Sequence, residues 1–106
     1  MTRFYTGDVV WVTDTLTHKG RRPCLVITVK ADGRYGVCPL THTRQGKWST
    51  NELGGGTYVA AVNRITRGTN TRWVTADALE LYKTQLTNEA ITAALNEVRR
   101  QLKVGY

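Results

Sequence analysis

The stretch Pro23-Cys24-Leu25-Val26-Ile27-Thr28-Val29-Lys30-Ala31-Asp32-Gly33-Arg34-Tyr35-Gly36-Val37-Cys38-Pro39-Leu40 decides the fold. Cys24 to Val29 is the most apolar run of the chain, and its β-branched content suits a buried strand. Pro23 is tolerated at the first residue of such a strand, because its missing N–H need not belong to the ladder. Asp32-Gly33 is a turn signal of the kind that needs positive φ, and Arg34 to Leu40 returns as a second strand. The reading is a β-hairpin. With its turn centred on Asp32-Gly33, Cys24 falls opposite Thr41. That register puts Thr41 and Arg22 at the same end of the hairpin.

Upstream, Val9-Val10-Trp11-Val12-Thr13 reads as a strand with Val10 and Val12 on one face and Val9 and Trp11 on the other. Both faces are apolar, which predicts a central position. Asp14 to Arg22 is a polar, charged loop. Downstream, Thr43 to Thr57 is a long loop containing Trp48 and the triplet Gly54-Gly55-Gly56. Loops of that length are usually functional or mobile. Tyr58 to Val62 reads as a strand. Arg64 to Arg67 extends a further one, turning through Gly68-Thr69-Asn70 to Trp73-Val74. Thr75 can cap a short helix over Ala76 to Tyr82. The best helix comes last, with Thr87 or Asn88 as N-cap and an apolar stripe of Ile91, Ala94, Leu95, Val98 and Leu102. Strands first and a helix at the end predict a mostly β fold. We expect a small SH3-like, strongly curved antiparallel sheet or partly open barrel, closed by a C-terminal amphipathic helix.

The chain has 106 residues and 41% hydrophobic content, so residues 1–106 read as one domain able to bury a core without disulfides. No apolar run reaches the length of a membrane span, and the first eight residues lack the apolar core of a secretory signal. The expected location is the cytoplasm. Cys24 and Cys38 lie in strand-like runs without metal-site spacing and read as small buried hydrophobes. His18 and His42 are too few and too far apart to complete a metal site, so neither metal nor cofactor is expected.

The net charge of +7 is unevenly placed. Between residues 18 and 72 stand Lys19, Arg21, Arg22, Lys30, Arg34, Arg44, Lys47, Arg64, Arg67 and Arg72, opposed only by Asp32 and Glu52. A concentrated positive field attracts polyanions, which points to nucleic acid or an acidic protein as partner.

Four landmarks in order resemble the MazF/PemK toxins of type II toxin–antitoxin systems. Gly7-Asp8-Val9-Val10-Trp11-Val12 looks like their opening strand, and Arg22-Pro23-Cys24-Leu25-Val26-Ile27 like their Arg-Pro strand start. Pro39-Leu40-Thr41 looks like their Pro-x-Thr strand end. Trp73 to Lys83 followed by a helix looks like their C-terminal end. The resemblance covers nearly the whole chain. It implies an SH3-like barrel, a homodimer, metal-independent cleavage of single-stranded RNA, and inhibition by an antitoxin with a disordered, acidic segment. Carried over by position, Arg22 matches the catalytic Arg before Pro and Thr41 the catalytic Thr after Pro-x.

The chemistry suits those residue types. In RNA the 2′-hydroxyl can attack the adjacent phosphorus, expelling the 5′-oxygen and leaving a 2′,3′-cyclic phosphate. An enzyme must align that attack, neutralise phosphoryl charge and move two protons. Arg22 can hold two phosphate oxygens in its planar fork, and Thr41 can donate a hydroxyl hydrogen bond. His18 is the candidate for proton transfer, because histidine as a residue type can take up or release a proton near neutral pH. His42 would point to the opposite sheet face in a regular strand. Lys19, Arg21, Thr43, Arg44 and Arg64 are candidate RNA contacts. Trp48 either stacks on a base or tucks into the core.

Two other readings compete. One is a non-catalytic SH3-like module, such as one of phage origin, that binds nucleic acid or protein. The other is a CcdB-like gyrase poison, a class that shares the barrel but lacks the Arg-Pro and Pro-x-Thr pair. The stretch before Arg22 is shorter than in most MazF/PemK members and lacks the Glu often found there. Asn63-Arg64 stands roughly where some members carry an Asp.

Overall fold

The computed structural model describes residues 3–13, 23–44, 46–54, 56–63, 65–83 and 86–104. Among the described residues, eight strands and one α-helix follow in chain order: β1 (Val9–Val12), β2 (Pro23–Val29), β3 (Tyr35–Thr41), β4 (Tyr58–Val59), β5 (Val62–Asn63), β6 (Gly68–Thr69), β7 (Arg72–Val74), β8 (Leu79–Lys83) and α1 (Asn88–Val104). The main sheet runs β4-β3-β2-β1-β8, with β7 also paired to β3, and β5-β6 forms a separate pair. All pairings are antiparallel. The sheet is open. Among the described residues its edges are β8 on one side and β4 with β7 on the other.

β1 and the β2–β3 hairpin form where the apolar runs predict them. β1 is central, between β2 and β8, because both of its faces are covered. Alternation sends Val9, Leu25, Cys38 and Leu40 to one side, where they pack with Trp48, Val59, Ala61, Leu86 and the Ala94–Val98 face of α1. Val10, Val12, Cys24, Val26, Tyr35 and Val37 go to the other side, with Phe4, Val74 and Leu79. Each fully buried Val or Leu contributes roughly 1.5–3 kcal/mol of transfer free energy, so two packed faces make these three strands the stable centre.

The hairpin turn differs from its expected form. Gly33 N–H donates to Lys30 O at 3.0 Å, Lys30 N–H to Arg34 O at 2.8 Å, and Gly33 has φ +88°. This is a three-residue loop ending in a left-handed glycine, not a two-residue turn centred on Asp32-Gly33. A bulge then leaves Ile27 without a partner, between the pairs Val26↔Val37 and Thr28↔Gly36. The two irregularities together move Cys24 from opposite Thr41 to opposite Pro39.

Three further expectations are corrected. The segment Tyr58–Val62 is broken at Ala60-Ala61 into β4 and β5. The β5–β6 hairpin turns before Gly68 rather than through Gly68-Thr69-Asn70, with Arg67 at φ +57°. The helix over Ala76–Tyr82 is a single 3₁₀ turn, Ala76–Ala78, followed by β8. Leu79 to Lys83 pairs with β1, and an edge of β1 left bare would cost more than the modest helix propensity of that segment returns.

α1 begins as expected. Thr87 Oγ1 accepts the Ala90 N–H at 3.3 Å, and the Glu52 carboxylate accepts the Thr87 N–H at 3.3 Å. Its buried face departs from the expected stripe. Ala94 and Val98 are buried, but Leu102 is exposed, and Glu97 and Gln101 are buried in its place. Gln101 accepts the Ala61 N–H at 2.9 Å and donates to Val59 O at 2.9 Å. It thereby satisfies the backbone where the chain breaks between β4 and β5. No helix among the described residues is long and apolar enough to cross a membrane.

Candidate functional site

The starts of β2 and β4 and the end of β3 meet at one end of the main sheet. Pro23 opens β2 across from Trp11. Pro39 pairs with Cys24, and Thr41 closes β3 across from Tyr58. Thr41 is half-buried, and its Oγ1 accepts the Thr43 N–H at 3.1 Å. That bond fixes the hydroxyl oxygen while leaving its own hydrogen available to donate. It also bends the chain immediately after β3. His42, Thr43 and Arg44 follow in the bend and are exposed. Strand alternation therefore no longer dictates where His42 points.

Of the candidate residues, the structure brings together Thr41, Thr43 and Arg44 at this strand end. Arg22, His18, Lys19, Arg21 and Arg64 lie outside the described residues. Of the two readings of Trp48, the structure shows the core one, and the base-stacking one is corrected. It is only 5% exposed and packs with Leu40, Val59 and Val98, because the loop folds back across the helix side of the sheet. The loop also carries a 3₁₀ turn, Asn51–Leu53, capped by Thr50, whose hydroxyl accepts the Glu52 N–H at 3.2 Å.

Sequence reasoning misses a second polar constellation. Arg100 closes on Glu97 through Nη2 at 2.5 Å and Nε at 3.0 Å, and Gln101 donates to the same carboxylate at 3.2 Å. The Arg100 guanidinium holds the Glu97 carboxyl below the usual range against the opposing effect of burial. A methyl at Gly46 would overlap this carboxylate. Trp48, Lys47, Ser49, Asn96 and Arg100 border a groove of about 340 Å³ beside it. The signal is present in the helical spacing, since residues 94, 97, 98 and 101 share one face. Two of the four are polar, and a search for an apolar stripe passes over them.

The cysteines behave as small core residues. Both are buried and neither is in a disulfide, and burial pushes the Cys38 thiol up to about 12. Among the described residues no three His, Cys, Asp or Glu side chains converge on one point.

No family model matches the sequence, and no curated protein matches it. Among solved structures, the chain is similar to one in the crystal structure of MazE-MazF (Form-III) from Deinococcus radiodurans. The likeness has a TM-score of 0.60 at 24% identity and covers 94% of this chain and 95% of that one. The likeness shows that this chain shares the fold of a chain of that MazE-MazF structure over nearly its full length.

Proposed function

We propose that this protein is a toxin endoribonuclease of the MazF kind, acting as one domain over residues 1–106 and cutting single-stranded RNA without a metal ion. The observation that carries the reading is the whole-length likeness to a chain of a MazE–MazF complex. In support, Thr41 ends β3 with a hydroxyl hydrogen to donate, beside the strand that Pro23 opens. Arg22 directly precedes Pro23 in the sequence.

In this reading the 2′-oxygen attacks phosphorus, the bond from phosphorus to the 5′-oxygen breaks, and a 2′,3′-cyclic phosphate and a 5′-hydroxyl leave. Arg22 neutralises the phosphoryl oxygens that gain charge, and Thr41 donates a hydrogen bond to the same group. His18 takes or returns a proton. Lys19, Arg21, Thr43, Arg44 and Arg64 hold the flanking strand. The basic middle segment also suits an acidic antitoxin, whose binding would cover the same charges. A homodimer and a cytoplasmic location belong to the same reading. The exposed Leu81 and Leu102 offer apolar surface for a second copy.

The test is incubation of purified protein with single-stranded RNA and EDTA, beside Arg22→Ala and Thr41→Ala. The expected outcome is cleavage to cyclic-phosphate ends by the parent, and a loss of at least about 100-fold in each variant with folding intact. Intact RNA with the parent, or a requirement for magnesium, would sink the reading and favour a non-catalytic binding module or a gyrase poison.

A further inference from the structure

Part of the basic middle segment takes no part in the Thr41 end. Lys30 and Arg34 lie at the opposite end of the β2–β3 hairpin. There the bulge at Ile27 changes which side chains share a face. Past it, Thr28 pairs with Gly36, and the next same-face pair is Lys30 with Arg34. Trp73 on β7 is the partner of Gly36 on its other side, so Thr28, Lys30, Gly36, Arg34 and Trp73 all stand on one face.

The indole lies across Gly36. A Cβ added there would come within 3.1 Å of the Trp73 ring and 2.7 Å of Thr28 Cγ2, so only glycine lets the ring settle on the sheet. The Lys30 ammonium sits 4.0 Å from the ring centroid. Trp73 is nevertheless 42% exposed, while Trp48 is buried and Trp11 is half-buried against Tyr82. Arg34 is held beside this platform by Asp32, with Nε and Nη2 both at 2.9 Å from Oδ2.

We propose that Trp73 and Lys30 form a second contact site for single-stranded nucleic acid, separate from the Thr41 end. Gly36 and Thr41 are five residues apart along β3, roughly 17 Å at the rise of a strand, and this odd separation turns them to opposite faces. An unstacked nucleotide supplies both things this platform is built to take. Its base replaces the ammonium on the ring, and its phosphate keeps the displaced ammonium paired. A duplex offers no free base face, which selects single strands. The site does not require cleavage, so it stands or falls apart from the function proposed above.

The probe is a ten-nucleotide single-stranded 2′-O-methyl oligonucleotide, which has no 2′-hydroxyl to react. Titration is followed by intrinsic tryptophan fluorescence and by anisotropy of an end label. The parent and Thr41→Ala should show quenching that Trp73→Phe removes while keeping near-parent affinity, since a phenyl ring still stacks. Trp73→Ala should bind about tenfold more weakly, the effect of losing one stacked base. Lys30→Glu should weaken binding and lower the salt slope by about one. Quenching that survives in Trp73→Phe overturns the proposal. So does a Lys30→Glu protein that binds like the parent, and this variant leaves the ring on Gly36 and decides the matter even if Trp73→Ala misfolds.

Discussion

Gln101 offers the sharpest test of how the helix and the sheet are joined. Its side chain is fully buried. It accepts the Ala61 N–H and donates to Val59 O, both at 2.9 Å, at the point where the chain leaves β4. Val59 and Ala61 are themselves buried, so water cannot replace the lost partner. Each stranded backbone group costs about 1–3 kcal/mol. Gln101→Ala therefore removes about 3 kcal/mol or more once the lost packing is added, a large share of the 5–15 kcal/mol typical of a domain. At about 4–8 °C per kcal/mol for a chain near this size, the melting temperature should fall by about 12–24 °C. Gln101→Met separates bonding from volume, because it refills the space with an apolar chain of similar length and leaves both backbone groups bare. Urea unfolding of the three proteins decides between the two effects. If bonding dominates, Met rescues less than half of the loss seen with Ala. If Gln101→Met unfolds within about 0.5 kcal/mol of the parent, which is the ordinary scatter of harmless substitutions, then packing alone holds the helix there and the bonding account is wrong.

Other consequences follow from the same packing. Gly46→Ala should cost about 1–3 kcal/mol by overlap with Glu97. Most of that cost should disappear in a Glu97→Ala background, and a double-mutant cycle by denaturant melts checks the coupling. Because Arg100 holds the Glu97 carboxyl below its ordinary value, the folded state gains stability above the ordinary pKa of 4.5 that is lost as pH falls through the lowered one. Arg100→Ala should accordingly lose more stability at pH 7 than at pH 3, as read from urea midpoints, and an equal loss at both would deny the link. With its thiol raised to about 12 by burial, Cys38 should resist an aromatic disulfide reagent at pH 8 in the folded protein and react once urea unfolds it. Reaction of Cys38 within seconds in the native protein would contradict its burial.

The strand-first architecture and the likeness to MazF are legible in the amino-acid order, and particular residues show why. Val9-Val10-Trp11-Val12 and Cys24 to Val29 are apolar on both faces, which suits a central strand, and the sheet places both with neighbours on either side. Asp32-Gly33 marks the turn, and Gly33 does take positive φ. Thr87, Ala94 and Val98 mark the helix. All of these signals are local, written within one or two turns of chain.

What only the tertiary structure decided depends on residues far apart in sequence. The hairpin register shifts by two because a three-residue loop and a bulge at Ile27 satisfy both packed faces at once, and neither feature has a composition of its own. Leu79 to Lys83 is a strand because β1 needs a neighbour. Trp48 enters the core because α1 offers it a face. Gln101 and Glu97, which read as surface residues on a helix, are buried because the break at Ala60-Ala61 and the backbone near Lys47 leave polar groups that need them. Sequence by itself determined which segments carry apolar faces and where the chain turns. Packing determined which strand edge, carbonyl or ring each face meets, because the free energy of a buried contact belongs to two distant residues together.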